Sequence, residues 1–341
     1  MNLLQLCQPA GPGLRFAALA LILAAAAAAA QPGEDLKPVT PADFQPGPPP
    51  ADQSAQSPAG IPGQDQLDFA NGLFARRLYA EAADEYEAYL RYFPQSPAAV
   101  QTSLRLGQAA QAAQRYEKAL EAYDRVMAAG TLEAQRAARL GRGECLFLRK
   151  RYPEALDTLE KLLEINPPAD QTARALYYAG RARLEQGDAQ GAVEMFQKIT
   201  DAPSEQPVTP YARYQLAQAL LRLGREKEAA AAFAQVAGTA GADPELRAES
   251  RYRAAELYDR MGLYDAAVAA YEQLREAFPD SAYASRAAYG YAWALSRAGR
   301  TEEAAAAARA FAETAPPPDL EAGIRYLLGE CARAAQRYEE A

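Results

Sequence analysis

Eight alanines recur along this chain at nearly constant intervals, and that period limits the fold more than any other feature. They are Ala82, Ala119, Ala155, Ala192, Ala229, Ala267, Ala304 and Ala341, separated by 37, 36, 37, 37, 38, 37 and 37 residues. Self-similarity at such a period means a stack of supersecondary units, each burying its apolar face only against its neighbours. In an alanine-rich chain one column proves little, so other columns must agree. Twelve residues before each alanine stand Ala70, Gly107, Gly143, Gly180, Ala217, Ala255, Ala292 and Gly329, all tiny. Four residues after it stand Tyr86, Tyr123, Leu159, Phe196, Phe233, Tyr271 and, as the one small exception, Ala308. Seven after it stand Tyr89, Val126, Leu162, Ile199, Val236, Leu274 and Phe311. Offsets of 0, 4 and 7 mark one face of a helix.

The unit is therefore a pair of helices. Helix A carries the tiny residue, which lets helix B approach closely. Helix B starts near the alanine and buries its aromatic face. Gly187, Gly224, Gly262 and Gly299 recur five residues before the alanine, where glycine takes a left-handed cap and ends helix A. Repeats 1, 2, 3 and 8 carry Arg77, Gln114, Lys150 and Gln336 there and are expected to close less cleanly. Pro94, Pro167, Pro279 and Pro316 fall twelve residues after the alanine, where helix B should stop. The expected fold is all-α, about seven and a half helix pairs over residues 64–341, because the eighth unit reaches only the start of its helix B at Ala341.

Residues 1–30 read as a secretory signal. Arg15 supplies the positive start, the run FAALALILAAAAAAA extends from Phe16 to Ala30, and Ala28-Ala29-Ala30 before Gln31 offers a cleavage site. That run is shorter than the ~20 residues a bilayer span needs. The expectation is a periplasmic or secreted protein after cleavage, the alternative a tether to the inner membrane by an uncleaved leader. Residues 31–63 hold nine prolines and four glycines, with PGPPP at 46–50. Such a segment buries too little apolar surface to fold. It reads as an extended spacer of partly polyproline-II character, or as a proline-rich ligand for a partner domain.

Histidine is absent and there are three cysteines. This removes Ser-His-Asp and Cys-His catalysis, histidine-containing zinc sites and a Cys₄ site. Cys7 lies in the leader, and Cys145 and Cys331 are expected as separate apolar fillers, five units apart and too distant to bridge. The formal net charge of −8 gives no basic stripe for nucleic acid. No Gly-rich phosphate loop occurs, and the glycines of GRGECLF at 141–147 read as helix-packing residues. Glu249, Glu256 and Asp259 share a face of one helix A, and paired carboxylates can cleave a glycosidic bond without histidine. Arg253 and Arg260 beside them make a solvated, ion-paired face the plainer reading. The chain reads as a non-enzyme, with no cofactor, no metal and no small-molecule substrate.

The order of tiny residue, turn, tyrosine, alanine, aromatic and proline resembles the tetratricopeptide repeat. RYEKALEAYDRV at 115–126 and LYDAAVAAYEQL at 263–274 are close to its second-helix signature. The resemblance covers about residues 64–341, with a period longer than the family's usual ~34 residues. It implies a right-handed superhelical solenoid whose A helices line the inner face, and a protein that binds other proteins. AFPDSAYASRAAYGYAWAL at 277–295 resembles BamD-like outer-membrane assembly subunits and YbgF-like periplasmic cell-division proteins more narrowly. Only the repeat family and the envelope setting carry over.

One column of helix A, three residues before the tiny residue, reads Leu67, Leu104, Leu140, Tyr177, Tyr214, Tyr252, Tyr289 and Tyr326. Arg174, Arg181, Tyr211, Arg222, Arg260, Arg286, Trp293 and Arg297 lie near it. Tyrosine, tryptophan and arginine are the residues enriched at binding hot spots. The expectation is a concave groove in repeats 4–8 that grips a peptide or helix of a cell-envelope partner, with acidic groups or a free C-terminus on the ligand. The plainer alternative is that each tyrosine packs against the next repeat. A rival reading makes the repeats the docking arm of a larger envelope enzyme whose catalytic part lies beyond residue 341. The incomplete last repeat is a further expected contact, through self-association.

Overall fold

The computed structural model describes residues 63–335. The leader, nearly all of the proline-rich spacer, Gln336 and Ala341 lie outside the described residues. Among the described residues there are 15 α-helices and no strand. Two compact units are delimited, one whose described part is residues 63–242 and one whose described part is residues 243–335.

In the first unit, five helix pairs follow one another: α1 (Gln64–Ala75) and α2 (Tyr79–Tyr92), α3 (Ala99–Ala112) and α4 (Tyr116–Ala129), α5 (Leu132–Leu148) and α6 (Tyr152–Glu164), α7 (Ala169–Glu185) and α8 (Ala189–Thr200), α9 (Thr209–Arg222) and α10 (Glu226–Gly238). Each helix packs on the next, and A helices of successive repeats also meet, α3 with α5, α5 with α7 and α7 with α9. The second unit holds α11 (Pro244–Arg260) and α12 (Tyr264–Ala277), α13 (Ala284–Arg297) and α14 (Thr301–Ala312), then α15 (Pro318–Ala334). Here too neighbours in sequence pack, and α13 meets both α11 and α15. Each unit is thus an all-α stack of tetratricopeptide type.

The packing follows the sequence columns. The seven alanines from Ala82 to Ala304 have no solvent exposure. The tiny column makes the close approach it implied. A methyl group added to Gly107 would lie 2.5 Å from the Tyr123 ring, to Gly143 2.4 Å from Leu159, and to Gly180 2.7 Å from the Phe196 ring. Each neighbour is the large residue of the same repeat's helix B, so the glycine is the floor on which that side chain rests. Helix B ends as expected: Pro94, Pro167, Pro279 and Pro316 each follow shortly after the last residue of α2, α6, α12 and α14.

The turn between helices A and B departs from expectation. Repeats 1–3 close as tightly as the glycine-bearing ones. In all seven described turns the amide five residues past a helix-A carbonyl donates back to it, from Leu78 to Leu73 through Arg300 to Leu295, at 2.7–3.0 Å. Arg77, Gln114 and Lys150 take φ of 62°, 60° and 59°, beside 72–83° for Gly187, Gly224, Gly262 and Gly299. The hydrogen bond and the apolar contacts across the turn impose the left-handed backbone even without glycine, at a cost of roughly 1–2 kcal/mol per residue. The exposed Gln114 tests this: Gln114→Gly should raise the denaturant midpoint by an amount equivalent to about 0.5–1 kcal/mol. An unchanged or lower midpoint would show that the turn carries no strain.

Candidate functional site

The tyrosine column does not present one uniform face. Tyr177, Tyr214 and Tyr252 are core residues. Their rings meet the large helix-B residue of their own repeat, Tyr177 on Phe196 at 6.2 Å, Tyr214 on Phe233 at 5.4 Å and Tyr252 on Tyr271 at 6.1 Å between centroids. Tyr252 also lies 5.4 Å from Tyr283. Aromatic pairs at these distances stabilise a core beyond the area they bury. Burial pushes the Tyr252 phenol well above its ordinary range, with the Glu256 carboxyl adding to the effect. Burial likewise raises the Glu256 carboxyl.

Several arginines near the column are tied to neighbouring helices. Arg222, exposed at the end of α9, donates from Nη1 to the Leu184 carbonyl on α7 at 2.6 Å. That carbonyl, in the last turn of α7, also accepts from the Gly187 amide at 3.1 Å, so Arg222 adds a second donor to it. Arg297 of α13 pairs with Asp259 of α11 and lies 5.6 Å over the Trp293 ring. Arg181 lies 4.6 Å over Phe147 and 5.6 Å over Tyr177. Arg260 ends α11 and is exposed, while Arg286 and Tyr211 are half-buried near the starts of α13 and α9.

Arg174 belongs to a network the repeat columns did not reveal. The fully buried Glu144 on α5 accepts from Arg174 Nη2 and Nε on α7 at 2.6 and 3.1 Å, and from Gln111 Nε2 on α3 at 2.8 Å. The Gln111 carbonyl in turn accepts from the Tyr123 hydroxyl at 2.6 Å. Three successive A helices are joined through one carboxylate. The other carboxylates of interest are ion-paired: Arg253 stands 3.5 Å from Glu249 and 3.6 Å from Glu256, and Asp259 holds Arg297. Cys145 and Cys331 are both free and buried, and burial raises the thiol pKa of each.

The second unit differs at the top of the column. Tyr289 and Trp293 sit one turn apart on α13, with ring centroids 6.3 Å apart, and Trp293 lies near parallel to Tyr326 of α15 at 6.2 Å and 22°. Tyr289 rests on Gly323 of α15, where an added methyl would lie 2.5 Å from its hydroxyl. Exposure rises along the group: Tyr289 and Trp293 are half-buried, and Tyr326 is 43% exposed. The reason lies in helix B. Where Tyr177, Tyr214 and Tyr252 find a ring, repeat 7 offers Ala308, so Tyr289 turns to Gly323 and Trp293 instead. Of the ten sequence-predicted contact residues, the structure gathers Tyr289, Trp293, Tyr326 and Arg297 into one cluster. It keeps Tyr177, Tyr214 and Tyr252 in the core, each against the large helix-B residue of its own repeat. The absence of a large residue at position 308 was the available signal.

A shallow depression of about 690 Å³ lies elsewhere, between α8, α9 and α10, over Leu216, Leu220, Ala231 and Ala232. None of the predicted contact residues lines it. Among the described residues no helix is long and apolar enough to cross a membrane, and no group of three or more Cys, Asp or Glu is arranged to hold a metal ion.

A family model described as a tetratricopeptide repeat matches residues 67–130, 104–170, 177–244 and 289–341, and a second of the same description matches residues 249–281. No curated protein matches the chain. Among solved structures it is similar to the C-terminal part of a TPR repeat-containing protein from Cytophaga hutchinsonii, with 15% identity and a TM-score of 0.55, over 80% of this chain and 98% of that one. It is also similar to a tetratricopeptide repeat protein from Parabacteroides merdae, with 19% identity and a TM-score of 0.50, over 79% and 98%. PilF of Pseudomonas aeruginosa matches at 19% identity and a TM-score of 0.50, over 65% and 95%. At these identities the likeness is one of fold alone.

Proposed function

The chain belongs to the tetratricopeptide-repeat family, and on that premise we propose that it is an exported scaffold holding a peptide or helix of a cell-envelope partner on the aromatic face of α13 and α15. The single observation that carries the contact face is the cluster of Tyr289, Trp293 and Tyr326, in which Trp293 lies 6.3 Å from Tyr289 and 6.2 Å from Tyr326 between ring centroids. Aromatic side chains bury large area at small entropic cost and dominate binding hot spots. Residues 1–30 support export through Arg15, the apolar run and the alanines before Gln31. The A helices of repeats 4 and 5 act mainly as support, since their column tyrosines Tyr177 and Tyr214 pack on Phe196 and Phe233 of their own repeats.

The experiment is capture from an envelope fraction with intact protein and with Trp293→Ala plus Tyr326→Ala. Each truncation should cost roughly 2 kcal/mol of binding, so the double variant should lose partner binding by at least a hundredfold. Tyr92→Ala in the first unit, an equally prominent tyrosine at 70% exposure, serves as the control and should bind as the intact protein does. N-terminal sequencing of the same material should begin at or near Gln31. Retention of every partner by a folded double variant would refute the contact face. A retained Arg15 would refute export with cleavage.

A further inference from the structure

From the lining of the depression between α8, α9 and α10 we infer that it is a second binding site, for an extended peptide segment that carries a carboxylate and, two residues along, an aliphatic side chain. It belongs wholly to the first unit and does not rest on the contact face proposed above. Its floor is Leu216 and Leu220 of α9, and its walls come from α8 and α10. The sequence explains why it opens there. Eight residues past the repeat alanine stand Leu90, Met127 and Leu163 in repeats 1–3, but Thr200 in repeat 4. Two and three residues past the alanine, the following B helices carry Glu121 and Ala122, Asp157 and Thr158, and Glu194 and Met195, whereas α10 carries Ala231 and Ala232. Of the junctions within this unit, the one between repeats 4 and 5 alone has short side chains at all three positions, and a volume of about 690 Å³ is left between them.

The polar groups select an acid. Arg213 of α9 lines the hollow, with its side chain 12% exposed. Its Nε is buried and donates to no acceptor, and its Nη2 reaches Glu205 only at 3.4 Å, on a carboxylate that is 63% exposed. The guanidinium is held in place with donor capacity left over, which suits the two oxygens of a carboxylate. Of the lining acids, Glu228 is held by Arg225 at 2.7 and 2.6 Å, and Asp201 is exposed at the end of α8, where water and salt screen it. Gln197 from α8 and Gln235 from α10 stand on opposite walls, and each side-chain amide offers both a donor and an acceptor to a peptide backbone between them. Spacing sets the rest. Arg213, Leu216 and Leu220 form one stripe of α9, the leucines roughly 4.5 and 10.5 Å along the helix from Arg213. In an extended peptide, side chains two residues apart point the same way, about 6.8 Å apart. A carboxylate over Arg213 therefore places the second side chain between Leu216 and Leu220.

The experiment titrates the peptide acetyl-Thr-Glu-Thr-Leu-Thr-amide into the full chain and follows the methyl NMR signals of Leu216, Leu220, Ala231 and Ala232. Saturable shifts at these four residues are expected. The same peptide with glutamine in place of glutamate should bind roughly tenfold or more weakly, and so should the original peptide with Arg213→Gln. Thr200→Leu gives this junction the residue of repeats 1 and 3. It removes no charge, and by filling the hollow it should weaken binding by a similar factor in a chain whose denaturation midpoint is unchanged. Octanoate, which has the carboxylate and an aliphatic tail but no backbone for Gln197 and Gln235, should bind at least about tenfold more weakly than the peptide. The inference is overturned if the peptide gives no saturable shift at these residues, if the glutamine peptide binds equally well, if Thr200→Leu leaves binding unaltered, or if octanoate binds more tightly than the peptide. None of these variants touches Tyr289, Trp293 or Tyr326, so failure here leaves the contact face on α13 and α15 to its own test.

Discussion

Glu144→Ala should destabilise the unit that spans residues 63–242 by about 3–5 kcal/mol, the penalty typical of removing one partner from a buried ion pair. Glu144 is 1% exposed and accepts three hydrogen bonds, two from Arg174 and one from Gln111. Its removal leaves the Arg174 guanidinium, on a side chain only 17% exposed, without its counter-ion. It also frees a Gln111 amide that is otherwise held between Glu144 and Tyr123. Three A helices lose their shared anchor at once, so the damage should spread over α3, α5 and α7. Replacing both partners, Glu144→Leu with Arg174→Met, should recover most of the loss, because a matched apolar pair leaves no stranded charge. Hydrogen exchange of residues 99–185 during denaturant titration reads the effect in this unit without averaging over the other. Equal loss in the single and double variants would show that the stranded charge is not the cause.

The second large effect concerns the close contact between helices A and B. Phe196→Ala should cost about 3–5 kcal/mol through loss of a fully buried ring and the cavity left behind. The ring lies between Gly180 and Tyr177, both on α7, so neither side can collapse easily. Gly180→Ala alone should also destabilise, by about 1–3 kcal/mol, because its methyl would fall 2.7 Å from the Phe196 ring. Together the two changes should be markedly less harmful than independent effects would be. Once the ring is gone, the added methyl fills space, and alanine favours the helix by about 1 kcal/mol over glycine. Equilibrium denaturation of the four proteins in this cycle gives the coupling directly. Additive losses would mean that Gly180 is not the floor beneath Phe196.

Much of this was legible in one dimension. The alanine at offset 0 with the large residue at +4, the tiny residue at −12 and the glycine at −5 report short-range rules, namely helical period, close approach and capping. Those rules operate within a single repeat, and the contacts of Gly107 with Tyr123 and Gly180 with Phe196 follow from them. The turn was legible in place but not in strain. Glycine at four positions marked the left-handed site, while Arg77, Gln114 and Lys150 adopt it as well, because the surrounding helices dictate the backbone more strongly than the local residue does.

What tertiary structure alone decided was the fate of each side chain on the inner column. Identical tyrosines at one offset end up fully buried at Tyr177 and half-buried at Tyr289, because cover comes from other helices. Phe196, Phe233 and Tyr271 cover three of them, and Ala308 leaves Tyr289 to Gly323 and Trp293. The Gln111–Glu144–Arg174 network shows the same limit more sharply. Its three members occupy different offsets in three repeats, so no column contains them and no period announces them. Periodicity determines which face of a helix turns inward, since that depends on neighbours three and four residues away. Which inward residue is sealed or paired depends on neighbours about twenty to thirty residues away, and only the packed helices bring those together.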